Sequence, residues 1–517
     1  MEPSQETITS RRDKLNSQIL GKTIDEQKPS LVHRECLLDA LQALYDECCI
    51  ETLQKYDKQI ASFVERYKTT ISEVKKLRVN IADFEIKEVI GRGHFGEVHV
   101  VREKQTGDIY AMKAIRKCDS LEKTSFDVER DIMAFAQSSW ITSLQYAFQD
   151  SVYLFFVMEY HPGGDLLGLL YRQGGTLPES AATFYLAEIV LALEDLHVMG
   201  FAHRDIKPDN ILLDRCGHLK LADFGSAARL DAKGFVSCGI PVGTPDYIAP
   251  EVLQSVEKNS KRVQYGVSCD YWSLGILAYE LTIGKPPFTG QNTTTTYSKI
   301  MNHATHLKFP PDVLLTQAYV SLIKGLVTEE KSRLTKPQVR QHPLFKNIHF
   351  DTLRDQVPPY VPKITSLDDT SNFCDVVTKK NGPNIDNFKK KTQFSGRNLP
   401  FIGFTFTNGV SSCGRDYDRG SKAKDDIIRS MKEELEAVKR TLMKSEDFEE
   451  VKMCLEKKVL EKSHKLESIE NVREKLERDL AASMAESTVS IVFILSVANL
   501  LVSLKKILPT APFLIAA

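Results

Sequence analysis

Two carboxylates, an amide and a lysine stand in this chain at a spacing suited to phosphoryl transfer. His203-Arg204-Asp205-Ile206-Lys207-Pro208-Asp209-Asn210 carries Asp205 and Asn210 on one short loop with Lys207 between them. Asp223-Phe224-Gly225 follows, its aspartate eighteen residues after Asp205. One carboxylate can orient a hydroxyl nucleophile and accept its proton, while the other, with the asparagine, can hold Mg²⁺ on ATP. A lone H-R-D is a weak signal, but H-R-D-x-x-x-x-N followed at this distance by D-F-G is a specific one. Asp205, Lys207 and Asn210 are therefore the catalytic candidates, with Lys207 expected to steady the γ-phosphate. Asn210 and Asp223 are the metal candidates.

The elements that must position this loop lie upstream. Phe84-Glu85-Ile86-Lys87-Glu88-Val89-Ile90 alternates as a half-buried strand does, and Gly91, Gly93 and Gly96 follow it. Glycines let backbone N–H groups approach phosphate oxygens where a Cβ would collide. The same G-x-G-x-x-G could open a dinucleotide fold, but that requires a helix straight after the glycines. Here Val98 to Val101 continues β-branched, and Tyr110-Ala111-Met112-Lys113 makes another short apolar strand. Lys113 is the candidate for the α/β-phosphates. A buried lysine needs a counter-charge, and Glu129, in the helical pattern Phe126 to Met133, is the natural one. Read alone, Glu129 could be one of several acids on a solvated face; the ordered series of glycine loop, Lys, Glu, H-R-D, N and D-F-G argues against coincidence.

These motifs resemble those of eukaryotic protein kinases over residues 84–345. The resemblance implies an α+β, bilobal kinase fold, with an antiparallel sheet and one helix in the small lobe, a helical large lobe, and ATP with Mg²⁺ between them. It implies a hinge at Met158-Glu159-Tyr160, a base held among Ile90, Val98, Ala111 and Leu212, and Asp165 facing the ribose. It further implies that Glu251 pairs with Arg333, that Thr244 bonds to the catalytic loop, and, from Lys207, that the acceptors are serine and threonine hydroxyls of protein substrates. Past this domain, Asp368-Asp369-Thr370-Ser371-Asn372-Phe373 and Leu399-Pro400-Phe401-Ile402-Gly403-Phe404-Thr405-Phe406 resemble the C-terminal tail of AGC-type kinases, assigned to 346–416. Independently of any family, three phenylalanines in six residues on a polar linker need a groove.

Within that group the chain resembles the Rho-effector branch, which includes Rho-associated and myotonic-dystrophy-type kinases. Gly93-His94-Phe95, the run Val101 to Lys113 and Gly225-Ser226-Ala227-Ala228 carry this likeness. It implies Rho-pathway and actomyosin partners, a homodimer, and a cytoplasmic setting at the cytoskeleton or cleavage furrow during cytokinesis. AGC kinases commonly place a phosphorylatable threonine three residues before the glycine of Gly243-Thr244-Pro245. Ile240 stands there instead, so Arg204 is expected to lack its usual phosphate partner.

Composition agrees. The chain has 517 residues, 42% of them hydrophobic and 26% charged, which fits a globular protein. A net charge of −1 gives no argument for nucleic acid as a partner. Ten cysteines without a C-x-x-C pair suit free thiols in a reducing compartment and argue against zinc. Met1 to Lys28 is polar and unlike a signal peptide.

Residues 1–29 read as disordered. A helical extension over 30–80 follows, capped by Ser30, with the stripe Leu37, Leu38, Leu41, Leu44 and Tyr45, then a second helix from Glu51 to Leu77. Such faces must be buried, either on the chain's own small lobe or in a dimer, and the dimer is favoured. Linker composition marks Asp375 to Asn398. Heptad spacing over 425–482 indicates a coiled coil with a phase break near Phe448, although a surface helix shares part of the pattern. Residues 487–504 carry no charge and reach the length of a membrane span. A membrane anchor within 487–517, or an isoform or gene-model end, would each account for that segment. The rival to an enzyme is a catalytically dead coiled-coil scaffold or a membrane-attached adaptor. Loss of Lys113, Asp205, Asn210 or Asp223 would mark the scaffold, and all four are present.

Overall fold

The computed structural model describes residues 33–93, 96–120, 126–236, 241–255, 264–373 and 398–408, together with Leu15, Asn16 and Ile19. Ile240, residues 375–397 of the linker, the heptad segment and the apolar C-terminal segment lie outside the described residues. No helix among the described residues is long and apolar enough to cross a membrane.

The small lobe is an antiparallel sheet of β1 (Phe84–Gly93), β2 (Gly96–Glu103), β3 (Ile109–Arg116), β5 (Tyr153–Glu159) and β4 (Leu144–Gln149), in that order across the sheet. Strand alternation divides its side chains between two faces. Phe155 and Val157 join Phe84, Val101, Met112 and Phe148 on one face. Leu154 and Phe156 point to the other, in the core shared with α4 (Phe126–Phe135), the helix that bears Glu129.

The large lobe is built on α5 (Leu166–Arg172), α6 (Glu179–Val198), α7 (Ser268–Ile283) and α8 (Gln317–Leu326). Most residues of α6 and nearly all of α7 are buried, as befits helices that are largely apolar all round. Short strand pairs lie around the catalytic loop: β6 (Phe201–Ala202) with β9 (Ala228–Arg229), and β7 (Ile211–Leu213) with β8 (Leu219–Leu221).

The tail completes the small lobe. Phe406 and Thr407 form β10, which pairs antiparallel with β4 and adds a sixth strand. Phe401 and Phe404 are each 1% exposed. Phe404 meets Phe156 edge-on at 5.1 Å between centroids, and Phe401 lies 5.2 Å from Phe126 of α4.

The N-terminal helices differ in detail from the sequence expectation. Leu15, Asn16 and Ile19 are helical and Ile19 is buried; the rest of 1–29 lies outside the described residues. Helix α1 (Arg34–Cys48) is capped by His33, whose Nδ1 accepts from the Glu35 N–H; Ser30 lies outside the described residues. The expected single helix from Glu51 to Leu77 is two, α2 (Glu51–Tyr56) and α3 (Lys58–Leu77). Asp57 takes an extended conformation between them and its carboxylate accepts the Gln59 N–H at 2.7 Å, a cap competing with helix continuation. The buried face of α1 is also rotated. Leu41 and Tyr45 are buried as expected, but Cys36, Asp39 and Ala43 are buried rather than Leu37, Leu38 and Leu44, because the helix lies against the tail through its polar residues.

Candidate active site

The glycine hairpin joins β1 to β2, with Gly93 opposite Gly96. A Cβ on Gly96 would lie 1.8 Å from the Ala114 carbonyl oxygen, so the strands themselves exclude a side chain. At Gly91 a Cβ would sit 3.6 Å from Val98 Cβ, an ordinary contact; packing alone does not demand glycine there. Register sets Val98 opposite Lys113, and Ala111 opposite Met158. Ala111 is buried, whereas Ile90, Val98, Met158 and Leu212 are half-buried.

Lys113 brings the two lobes together. Its Nζ donates to Glu129 Oε1 at 2.6 Å and to Asp223 Oδ1 at 2.8 Å. Burial opposes the ammonium charge, but Asp223 and Glu129 outweigh it and hold the pKa above the ordinary lysine range. Lys113 in turn pulls Asp223 down to about 2. Burial pushes Glu129 upward against the attraction of Lys113. Asp223 has a left-handed backbone, φ 56°, which costs a non-glycine residue roughly 1–3 kcal/mol and persists only where surroundings enforce it.

The catalytic loop is held from three sides. Asp205 Oδ1 accepts from the Thr244 N–H (2.8 Å) and hydroxyl (2.7 Å). Its Oδ2 accepts from Asn210 Nδ2 at 3.1 Å and lies 3.1 Å from Lys207 Nζ, which also donates to Thr244 Oγ1 at 2.8 Å. Asn210 Nδ2 further donates to the Asp205 carbonyl at 2.8 Å. Glu251 and Arg333 form a buried two-point ion pair at 2.5 and 3.0 Å, which anchors the segment after Thr244.

Glu159, expected at a hinge, and Asp165, expected to face a ribose, both make bonds within the protein. Glu159 turns its carboxylate to Lys220 at 3.2 Å and to the Ser143 hydroxyl at 3.3 Å. Asp165 caps α5, accepting the Gly168 N–H at 2.6 Å, and bridges Leu212 through the backbone.

Sequence reasoning did not find several supports. Asp270, 0% exposed in α7, accepts the backbone N–H groups of His203 (2.9 Å) and Arg204 (2.7 Å) and bonds His197 Nε2 at 2.7 Å. It fixes the loop from below, and nothing in its local sequence signals that task. The tail also reaches the cleft. Asp368 pairs with Lys87 of β1 at 2.6 Å, while Asn372 donates to the Pro162 carbonyl at 3.0 Å and accepts from Arg172 at 2.6 Å. Phe373 stacks on Tyr160, whose hydroxyl donates to the Asp369 carbonyl at 2.6 Å. Residues 368–373 thus bond both β1 of the small lobe and α5 of the large lobe. Arg204, expected to lack a phosphate partner, instead donates to the Ser226 carbonyl at 2.6 Å and the Tyr265 hydroxyl at 3.1 Å.

Residues 84–345 match the family described as protein kinase domain. The chain is 44% identical over 415 residues to human Citron Rho-interacting kinase, covering 79% of this chain and 20% of that protein. It is 46% identical over 396 residues to serine/threonine-protein kinase mrck-1 of Caenorhabditis elegans, covering 74% and 25%. With human Rho-associated protein kinase 1 the identity is 43% over 429 residues, covering 81% and 31%. The chain therefore spans a fifth to a third of the length of these curated relatives.

Proposed function

Since this chain belongs to the protein kinase family, we propose that it is an ATP-dependent serine/threonine protein kinase of the Rho-effector type. The observation that carries this reading is the convergence of Lys113, Glu129 and Asp223 in one ion triad beside an Asp205 held by Thr244, Lys207 and Asn210. Lys113, steadied by Glu129, would place the α- and β-phosphates. Asp205 would orient the acceptor hydroxyl and take its proton, and Lys207 would steady the γ-phosphate.

The donor set fits Mg²⁺. Asn210 spends its amide nitrogen on Asp205, which leaves its carbonyl oxygen as a ligand, and Asp223 gives one oxygen to Lys113 and keeps the other. Hard oxygen donors of this kind suit Mg²⁺, which when bound would neutralise phosphate charge. Catalysis would then rest mainly on positioning and electrostatic stabilisation. Ile90, Gly91, Gly93, Gly96, Val98, Ala111, Met158, Glu159, Tyr160, Asp165 and Leu212 complete the nucleotide set in this reading.

We assign residues 346–416 as an AGC-type tail and 30–80 as an extension that docks on it; burial of Phe401 and Phe404 and the bonds of Asp39 to Thr405 support both. Homodimerisation, a coil over 425–482, and Rho-pathway, actomyosin and cytoskeletal partners complete the proposal. The test is transfer of radiolabelled γ-phosphate to a degenerate Ser/Thr peptide array. Incorporation that needs Mg²⁺ and vanishes in Asp205→Asn is expected; equal incorporation by that variant would refute the assignment.

A further inference from the structure

Lys220 is a buried cation that the chemistry above leaves without a task. It stands in β8 between Leu219 and Leu221, both 0% exposed, and is itself 7% exposed. Strand register sets it opposite Leu212 of β7, so the two side chains share a face, and Leu212 is one of the residues read above as holding the base. A charge buried there needs a counter-ion. Lys220 Nζ finds it in Glu159, the last residue of β5, at 3.2 Å from Oε2. The same oxygen accepts from the Ser143 hydroxyl at 3.3 Å and lies 3.8 Å from Nε2 of the buried His161.

Backbone bonds join the same segments. The Thr142 N–H donates to the Leu221 carbonyl at 3.0 Å, the Leu221 N–H to the Trp140 carbonyl at 2.7 Å, and the Glu159 N–H to the Ser143 carbonyl at 3.0 Å. Residues 140–143, the end of β5 and β8 therefore form one unit, and the Lys220–Glu159 pair closes it through side chains. Two neighbouring segments depend on that unit. Residues 160–165 run from Glu159 into the large lobe, whose α5 begins at Leu166. Asp223 follows Lys220 by three residues, and its left-handed backbone persists only where the surroundings enforce it. We propose that Lys220 is a positioning residue. Paired with Glu159, it fixes β8, and with it Asp223, against the connection between the lobes, so that one contact sets both the floor under the base and the carboxylate assigned to Mg²⁺. The binding part of this proposal rests on the kinase reading; the mechanical part does not.

The test compares Lys220→Met, Lys220→Arg, Glu159→Gln and the double variant Glu159→Gln/Lys220→Met in the full chain. Lys220→Met should raise KM for ATP roughly 2- to 30-fold, the span of couplings carried by such contacts. That rise should exceed any fall in kcat, because the contact serves binding before the transition state is reached; a loss confined to kcat would overturn the proposal. Lys220→Arg should keep most of the affinity. The double variant should be no worse than Lys220→Met, since it leaves no stranded charge, and losses that simply multiply would sink the pairing. Calorimetry with a non-hydrolysable ATP analogue separates the two ends of the contact. Lys220→Met should weaken binding more with Mg²⁺ present than in EDTA, because Asp223 is the end that needs the metal; equal weakening would refute the link to Asp223. Amide hydrogen exchange gives a readout without nucleotide: Lys220→Met should speed exchange at Thr142 and Leu221, and unchanged exchange at both would refute the mechanical part. If the wild type does not bind the analogue, the kinase reading fails and exchange alone decides the role of Lys220. Should Lys220→Met not fold, Glu159→Gln, at a side chain 40% exposed, carries the same measurements.

Discussion

The catalytic cleft and the junction between α1 and the tail are both built on ion pairs, and they use them differently. In the cleft, Lys113 is shared between Glu129 and Asp223 through one oxygen of each, and the buried Glu129 Oε2 has no hydrogen-bond partner. At the junction, Asp39 is saturated: it takes Arg78 at 2.7 Å, the Gly403 and Thr405 N–H groups at 3.1 Å each, and the Thr405 hydroxyl at 2.7 Å. A site that must bind a charged ligand keeps valence in reserve. A site that must only hold two segments together spends all of it, because an unmet buried lone pair is costly. Substitutions should therefore separate chemistry from docking.

The largest effect is expected at Asp205→Asn. Turnover should fall roughly 10²–10⁴-fold, the usual contribution of a positioned acid–base group, while nucleotide affinity, measured by calorimetry, stays near the wild-type value. A matched loss of affinity would mean that Asp205 also supports the nucleotide and that the cleft is less divided than its geometry implies.

Next comes Phe404→Ala. Truncating a fully buried phenylalanine costs about 3–5 kcal/mol, and here the cavity opens against Phe126 and Phe156. Thermal unfolding should shift down and activity should fall with it, because Phe126 begins the Glu129 helix. Loss of stability with activity per folded molecule untouched would show that the tail is a brace only.

Thr405→Glu should act in the middle of the range. A carboxylate placed on Asp39 adds like charge and forfeits the hydroxyl bond, about 1–3 kcal/mol of docking. Hydrogen exchange over 34–48 should rise, and phosphate on Thr405 should do the same. Tighter protection of α1 in the variant would reverse the sign assigned to this site.

The smallest effect is a pH slope. His161, 2% exposed, is pushed by burial down to about 4 and lies 3.2 Å from the Thr142 hydroxyl. The unfolded chain takes up this proton near 6.5, the folded chain only near 4. Between those values the unfolded state binds more protons, so stability falls as pH drops through the window. In His161→Gln, chemical denaturation midpoints should change less between pH 7 and pH 4 than in the wild type; an identical slope would place the titration elsewhere.

Much of the cleft was legible in the residues because its chemistry prescribes both type and spacing. Asp205, Asn210, Asp223 and Lys113 must be the residues they are, and a reader of the chain can find them without a fold. The three phenylalanines near the tail's end were legible too, since apolar residues on a polar linker must find cover. What the chain could not disclose was the partner. Asp270, Asp131 and Asp368 look like ordinary acids in sequence, yet one holds the catalytic loop, one is wedged between two arginines, and one ties β1 to the tail. The face of α1 was misread for the same reason: periodicity identifies apolar stripes, while this helix buries Asp39 because a distant segment offers it three donors. Spacing along the chain determines the groups that do chemistry. Which buried charges meet across hundreds of residues is decided only when tertiary packing brings their partners within bonding distance and removes the water that would otherwise satisfy them.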